Sequence, residues 1–232
     1  MPLSHMCRVF LLMFACLAFC FEAHAGERLE QIHSRGYLVC GVAPNDPGFS
    51  VRQADGQFVG LEIDLCRAIA AAIFGSSSKV HLRPLETVHE FLADEAVDLV
   101  FHRLTWTLTR EAPGQLEFGP VYFYERSSAA HPEPLAPLLR ADDADFSRIV
   151  RWVVYALLDA ELHANSIAQW PPVEAGDALG LQADWAVNMV AQVGHYGDIF
   201  ERHFGLRSAH RQDRGPNRLW RDGGLFVTPL IK

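Results

Sequence analysis

Apolar positions along the chain fall into short runs separated by helical stripes. A stripe over 27–34 stops at Gly36, a residue type that ends helices, and the run over 37–42 reads as a buried strand. Asn45-Asp46-Pro47-Gly48 and Asp55-Gly56 are turn signals, and Phe49-Ser50-Val51 with Phe58-Val59 predicts a small hairpin around them. Leu61, Leu65, Ile69, Ala72 and Ile73 recur at three- and four-residue spacing, which predicts a helix ended by Gly75-Ser76-Ser77-Ser78. Strand, helix and strand are then predicted over 80–85, 88–93 and 98–101. Such alternation gives an open, mainly parallel α/β sheet flanked by helices, in which ligands sit beyond the carboxyl ends of the strands. One more strand is predicted over 116–124.

From 126 to 143 the periodic pattern stops. Ala129-Ala130-His131-Pro132-Glu133-Pro134 and Leu135-Ala136-Pro137 fit neither period, so this Pro-rich stretch reads as a linker. Beyond it Phe146, Ile149, Val150, Val153, Val154, Leu157 and Leu158 form one helical stripe, opened by Asp residues that suit a helix N-terminus. Trp185, Val187, Met189, Val190 and Val193 predict a second helix, and Ile199, Phe200 and Phe204 a third. Leu219-Trp220 predicts a short fourth, followed by a strand over 225–228.

Composition narrows the function. With 232 residues, 50% hydrophobic and 21% charged, the chain can bury a proper core. A formal charge of -8 without any long Lys/Arg cluster argues against nucleic acid or an anionic membrane as partner. Residues 1–25 combine Arg8, an apolar run too short to span a bilayer, and the small-x-small pattern Ala23-His24-Ala25, so they read as a cleaved secretory signal peptide. Bulky Phe19 before Cys20 argues against lipid attachment there. Cleavage would remove Cys7, Cys16 and Cys20 and leave Cys40 and Cys66. In an oxidising compartment that pair would close a disulfide; the other reading is two separate buried thiols.

The candidate chemistry lies where Val97-Asp98-Leu99-Val100-Phe101 leads into Thr105-Trp106-Thr107-Leu108-Thr109-Arg110. Arg presents a planar fork of donors that pairs both oxygens of a carboxylate, and Thr hydroxyls can complete the shell of a small zwitterion. The plainer reading is a strand, a Thr cap and a surface Arg. No G-x-S-x-G, H-E-x-x-H, phosphate-binding loop or G-x-G-x-x-G occurs. The 11 His residues are scattered, and His195 and His203, on adjacent helical turns, read as satisfied or solvent-facing rather than as metal ligands. No metal, cofactor or enzymatic activity is expected.

Gly60-Leu61-Glu62-Ile63-Asp64-Leu65, followed by Ile69-Ala70 and Ile73, resembles the signature of family 3 of the bacterial extracellular solute-binding proteins, which serve polar amino-acid ABC importers. Further segments resemble its general L-amino-acid-binding subgroup. They are Leu38-Val39-Cys40-Gly41-Val42, Pro47-Gly48-Phe49-Ser50, Thr105-Trp106-Thr107, Ile149-Val150-Arg151-Trp152, Asp184-Trp185-Ala186-Val187, the string GHYGDIFER ending at Arg202, and Leu219-Trp220 with Gly223-Gly224. The resemblance implies a periplasmic receptor whose two α/β lobes close over an L-amino acid and hand it to ABC permease subunits. It implies that Arg110 pairs with the ligand carboxylate, that Thr105 adds a hydroxyl, and that Phe49 lies under the ligand side chain, with Thr107 and Ser50 as neighbours in the shell. Phe49 also reads as a packing aromatic, Thr107 or Thr109 as a helix cap, and Asp64 as a structural part of the helix start.

The chain departs from the family in two places. His102, Arg103 and Leu104 stand where small polar residues are usual, and an Arg there would repel a ligand ammonium unless it swings to solvent. The segment 126–143 stands where the family inserts its second lobe, and it is far below the about 50 residues a lobe needs. The expected organisation is therefore a signal peptide (1–25), the N-terminal part of one periplasmic-binding-protein-like lobe (26–125), a Pro-rich linker replacing the other lobe (126–143), and a helical C-terminal part packing on the same lobe (144–232). Two functions remain: a weakly binding amino-acid receptor of an ABC importer, or a single-lobe periplasmic interaction or sensing module. A homodimer would cover the hinge face that the missing lobe leaves open.

Overall fold

The computed structural model describes residues 26–126, 131–164, 170 and 174–231, so the signal-peptide segment lies outside the described residues. Helix α1 (Glu27–Arg35) ends at Gly36, whose φ of 80° lets its N–H reach back to the last turn. Strand β1 (Leu38–Val42) is buried along its whole length. A small antiparallel sheet of β2 (Asn45–Asp46), β3 (Ser50–Arg52) and β4 (Phe58–Val59) follows, then helix α2 (Leu61–Phe74). Strand β5 (Val80–Pro84), helix α3 (Val88–Ala93) and strand β6 (Leu99–Phe101) complete the βαβαβ start.

The main sheet has the order β5-β1-β6-β10-β7, with β7 at Leu116–Phe118 and β10 at Leu138–Arg140. Strands β5, β1 and β6 run parallel, as helical crossovers require, whereas β10 is antiparallel to both of its neighbours. A second hairpin pairs β8 (Phe123–Glu125) with β9 (Glu133–Leu135). The Pro-rich segment 126–143, expected to lack strands, thus contributes β9 and places β10 between β6 and β7. The strand expected over 116–124 is broken into β7 and β8 by Gly119-Pro120, since Pro offers no N–H to a ladder. The strand expected over 225–228 reduces to one bridge between Leu219 and Phe226.

Helix α4 is one turn, Leu108–Glu111, and α5 (Ala144–Leu162) is the longest helix described. The Asp143 carboxylate caps α5 by accepting from the N–H groups of Asp145 and Phe146, and its other oxygen accepts from Leu29 N–H at 2.8 Å. After α6 (Glu174–Asp177) come α7 (Trp185–Val193) and α8 (Tyr196–Phe204). Helix α2 is buried nearly all round. Its apolar residues share one core with β1, β6, the inner face of α5, and Trp185, Met189, Ile199 and Phe200. The C-terminal helices therefore pack on the same lobe as the N-terminal strands. A disulfide joins Cys40 in β1 to Cys66 in α2, with their Cα atoms 6.1 Å apart.

Candidate ligand-binding site

Strand β6 is fully buried and delivers the chain to the sheet edge at His102. Its Nε2 lies 3.0 Å from the Leu85 carbonyl oxygen, and Leu104 is buried in a second apolar cluster, so neither crowds the space above the strand ends. Arg103 between them has φ 47°, the one positive φ among the described non-glycine residues. Its N–H donates to Glu62 Oε1 at 2.7 Å. Its guanidinium is not swung free to solvent. It pairs with Asp46 at 3.2 Å and with Glu125, and its Cζ lies 5.1 Å from the centre of the Phe49 ring. Two carboxylates around one guanidinium leave a local net charge of -1, so the repulsion expected from Arg103 toward an ammonium is cancelled.

Glu62, in the first turn of α2, is fully buried. Its Oε1 also accepts from the Tyr122 hydroxyl, while Oε2 has no partner among the described residues. Burial pushes its pKa up to about 7, against the lowering effect of the hydrogen bonds from Tyr122 and Arg103. The same carboxyl thus holds the strained turn at Arg103 in place from below.

Thr105 continues from this turn and organises two opposite charges. Its carbonyl accepts from Arg110 Nη1 at 2.6 Å, and its hydroxyl donates to Glu133 Oε2 at 2.9 Å. Backbone pairing of Thr105 with Leu135, and of Trp106 N–H with the Pro134 carbonyl at 2.8 Å, fixes this segment against β9. Arg110 is exposed, and among the described residues neither Arg110 nor Glu133 forms an ion pair. Thr107 stands at the N-cap position of α4 without a side-chain cap; its hydroxyl lies 3.3 Å from that of Thr109. Sequence reasoning missed Glu133, Asp46 and Glu125. Asp46 and Glu125 end the short strands β2 and β8, and Glu133 opens β9 in a Pro-rich stretch, where no spacing marks a site.

The Phe49 loop is engaged inward. Phe49 is 4% exposed and packs edge-on against Phe123 and Phe204, with Arg103 above it. Ser50 is fully buried, and its hydroxyl donates to the Ala43 carbonyl at 2.6 Å. Gly60 holds the far side of this loop at φ 145°, and a Cβ there would lie 2.0 Å from the Phe49 carbonyl oxygen. Asp64 accepts from Arg202 and from His203 at 2.7 Å. Burial pushes its pKa up, but His203 and Arg202 outweigh this and hold it below the ordinary carboxylate value. His195 Nδ1 accepts from Asp198 N–H as a helix cap. Among the described residues no cluster of three or more His, Cys, Asp or Glu could hold a metal.

Residues 38–206 match the bacterial extracellular solute-binding proteins, family 3. The chain belongs to this family. It is 26% identical to a putative amino-acid ABC transporter-binding protein, YhdW, of Escherichia coli (strain K12), over 93% of this chain and 96% of that one. It is 24% identical to the general L-amino acid-binding periplasmic protein AapJ of Rhizobium johnstonii, over 94% and 96%. The alignment with YhdW runs over 326 positions against a chain of 232 residues, so part of that relative has no counterpart here. Among solved structures, an ABC transporter periplasmic binding protein from Brucella ovis shares the fold with a TM-score of 0.79 at 23% identity, over 88% of this chain and 99% of that one. Within the α/β fold of this family 3 solute-binding protein, the β8–β9 hairpin carries Glu133 to Thr105.

Proposed function

We propose that this protein is a periplasmic amino-acid-binding component of an ABC-type importer, built as a single open lobe that serves membrane permease subunits. One observation supports it above the others: Thr105 holds an unpaired guanidinium by its carbonyl and an unneutralised carboxylate by its hydroxyl. Arg110 would take the ligand α-carboxylate in a two-pronged contact, and Glu133 would face the α-ammonium. Thr107 contributes a hydroxyl beside them. Phe49 acts through Arg103, whose guanidinium lies over the ring, and Ser50 fixes the loop. The names of the relatives support both the amino-acid ligand and the periplasmic compartment.

The site faces water, where charge-assisted hydrogen bonds contribute far less than in a closed cleft, so affinity is expected in the millimolar range. Calorimetry of the chain from Gly26 onward against a panel of L-amino acids tests this. Heat should appear for at least one of them, fall by about tenfold or more in affinity with Arg110→Ala, and weaken similarly with Glu133→Gln. Heat indifferent to both changes removes the reading. Loss of the closing lobe favours a second reading, a single-lobe interaction or sensing module that self-associates. A particle of dimer mass in light scattering, with no heat from any amino acid, would select it.

A further inference from the structure

A cavity of about 430 Å³ lies between the Thr105–Glu111 segment, the turn after β7, helix α5 and the C-terminal segment. Its walls are the rings of Trp106, Tyr124 and Tyr155, and its charged groups are Arg151, Glu111 and Glu117. That volume falls within the range of small-molecule sites. The charges are the informative part. Among the described residues Glu111 accepts only from neutral donors, Trp106 Nε1 at 2.9 Å and Phe118 N–H at 3.4 Å, and Glu117 accepts from the Ser147 hydroxyl. Arg151, exposed on α5, has no hydrogen bond or ion pair among the described residues. Opposite charges line one cavity and do not neutralise each other.

We propose that this cavity binds a small amphoteric molecule with a flat apolar body, distinct from the ligand held at Arg110. Its carboxylate would meet Arg151, its ammonium would meet Glu111 and Glu117, and its body would lie among the three rings, where aromatic faces favour offset or edge contacts. An aromatic amino acid carries these three features. The inference does not rest on Arg110, although the two sites share the Thr105–Glu111 segment.

L-Phenylalanine is the probe. It adds no indole fluorescence, so calorimetry and the emission of Trp106 can be read together. The arms are the chain from Gly26 onward, Arg110→Ala, Arg151→Gln, and the double variant, each checked by circular dichroism for native helix content. Arg110→Ala should keep a binding isotherm and a change in tryptophan emission that Trp106→Phe abolishes. Arg151→Gln in that background should weaken binding at least tenfold. 2-Phenylethylamine, which lacks the carboxylate, should bind the Arg110→Ala protein weakly and with no further loss on Arg151→Gln. No binding to Arg110→Ala overturns the proposal, and so does binding that is indifferent to Arg151→Gln. Equal binding by the parent protein and Arg110→Ala would instead count against the amino-acid site at Arg110, so the two failures are distinguishable.

Discussion

Glu62 couples the site to pH. Its carboxyl is fully buried and its pKa rises from 4.5 to about 7 because burial disfavours the charged form. A raised carboxyl pKa means that the folded chain binds the proton more tightly than the unfolded chain. Its contribution to stability is therefore complete below about 4.5 and is lost as pH rises through about 7, a change of about 3 kcal/mol. Glu62→Gln keeps an oxygen to accept from Tyr122 and Arg103 and removes the titration. The variant should lose less stability than the parent between pH 5 and pH 8, by ~5–10 °C in melting temperature, as thermal unfolding at each pH will show. Parallel profiles would refute the assignment. The site residues were unevenly legible in the sequence. Arg110 and Thr105 stand out because a strand leads straight into them. Glu133 was hidden, because its proximity to Thr105 depends on a hairpin that closes across the chain. Phe49 shows the opposite limit: a loop aromatic reads alike whether it meets a ligand or, as here, Phe123 and Phe204.

The elements that hold the lobe together can be tested one at a time. The Cys40–Cys66 bond ties β1 to α2 across a separation of 26 residues. On the chain-entropy estimate, closing that loop stabilises the fold by about 3–4 kcal/mol. A Cys40→Ser, Cys66→Ser double variant should lower the denaturant midpoint accordingly, and reductant should shift the parent toward it and leave the variant unmoved. Asp143 works at the N-terminal ends of two helices. Asp143→Ala removes the acceptor for two N–H groups of α5 and one of α1, which should cost about 2 kcal/mol without altering the unfolding slope. Long periodic elements such as α2 and α5 were written in the sequence, because a helical stripe repeats often enough to be distinctive. Strand β10 was not. Three residues beside Pro137 carry no period, and only the open edges of β6 and β7 make them a strand.

At the scale of the whole molecule, the chain halves on either side of 126–143 are joined by burial rather than by a hinge. Ile32, Leu38 and Phe101 lie in the same apolar cluster as Phe146, Leu157, Trp185 and Phe204. Asp64 of α2 is held by Arg202 and His203 of α8. Neither half can expose its face of that core without a large loss of buried apolar area, so the two must unfold together. The tryptophans make this visible, since Trp152, Trp170 and Trp185 all lie after the hairpin, packed in or against this core. In a Trp106→Phe background, which silences the one tryptophan before the hairpin, the emission reports the C-terminal part, whereas far-ultraviolet circular dichroism sums over both halves. Urea titrations followed by the two signals should give one midpoint and one slope. A separation of the curves, with tryptophan emission changing first, would show that the helical part is a domain of its own and that the single-lobe architecture is wrong.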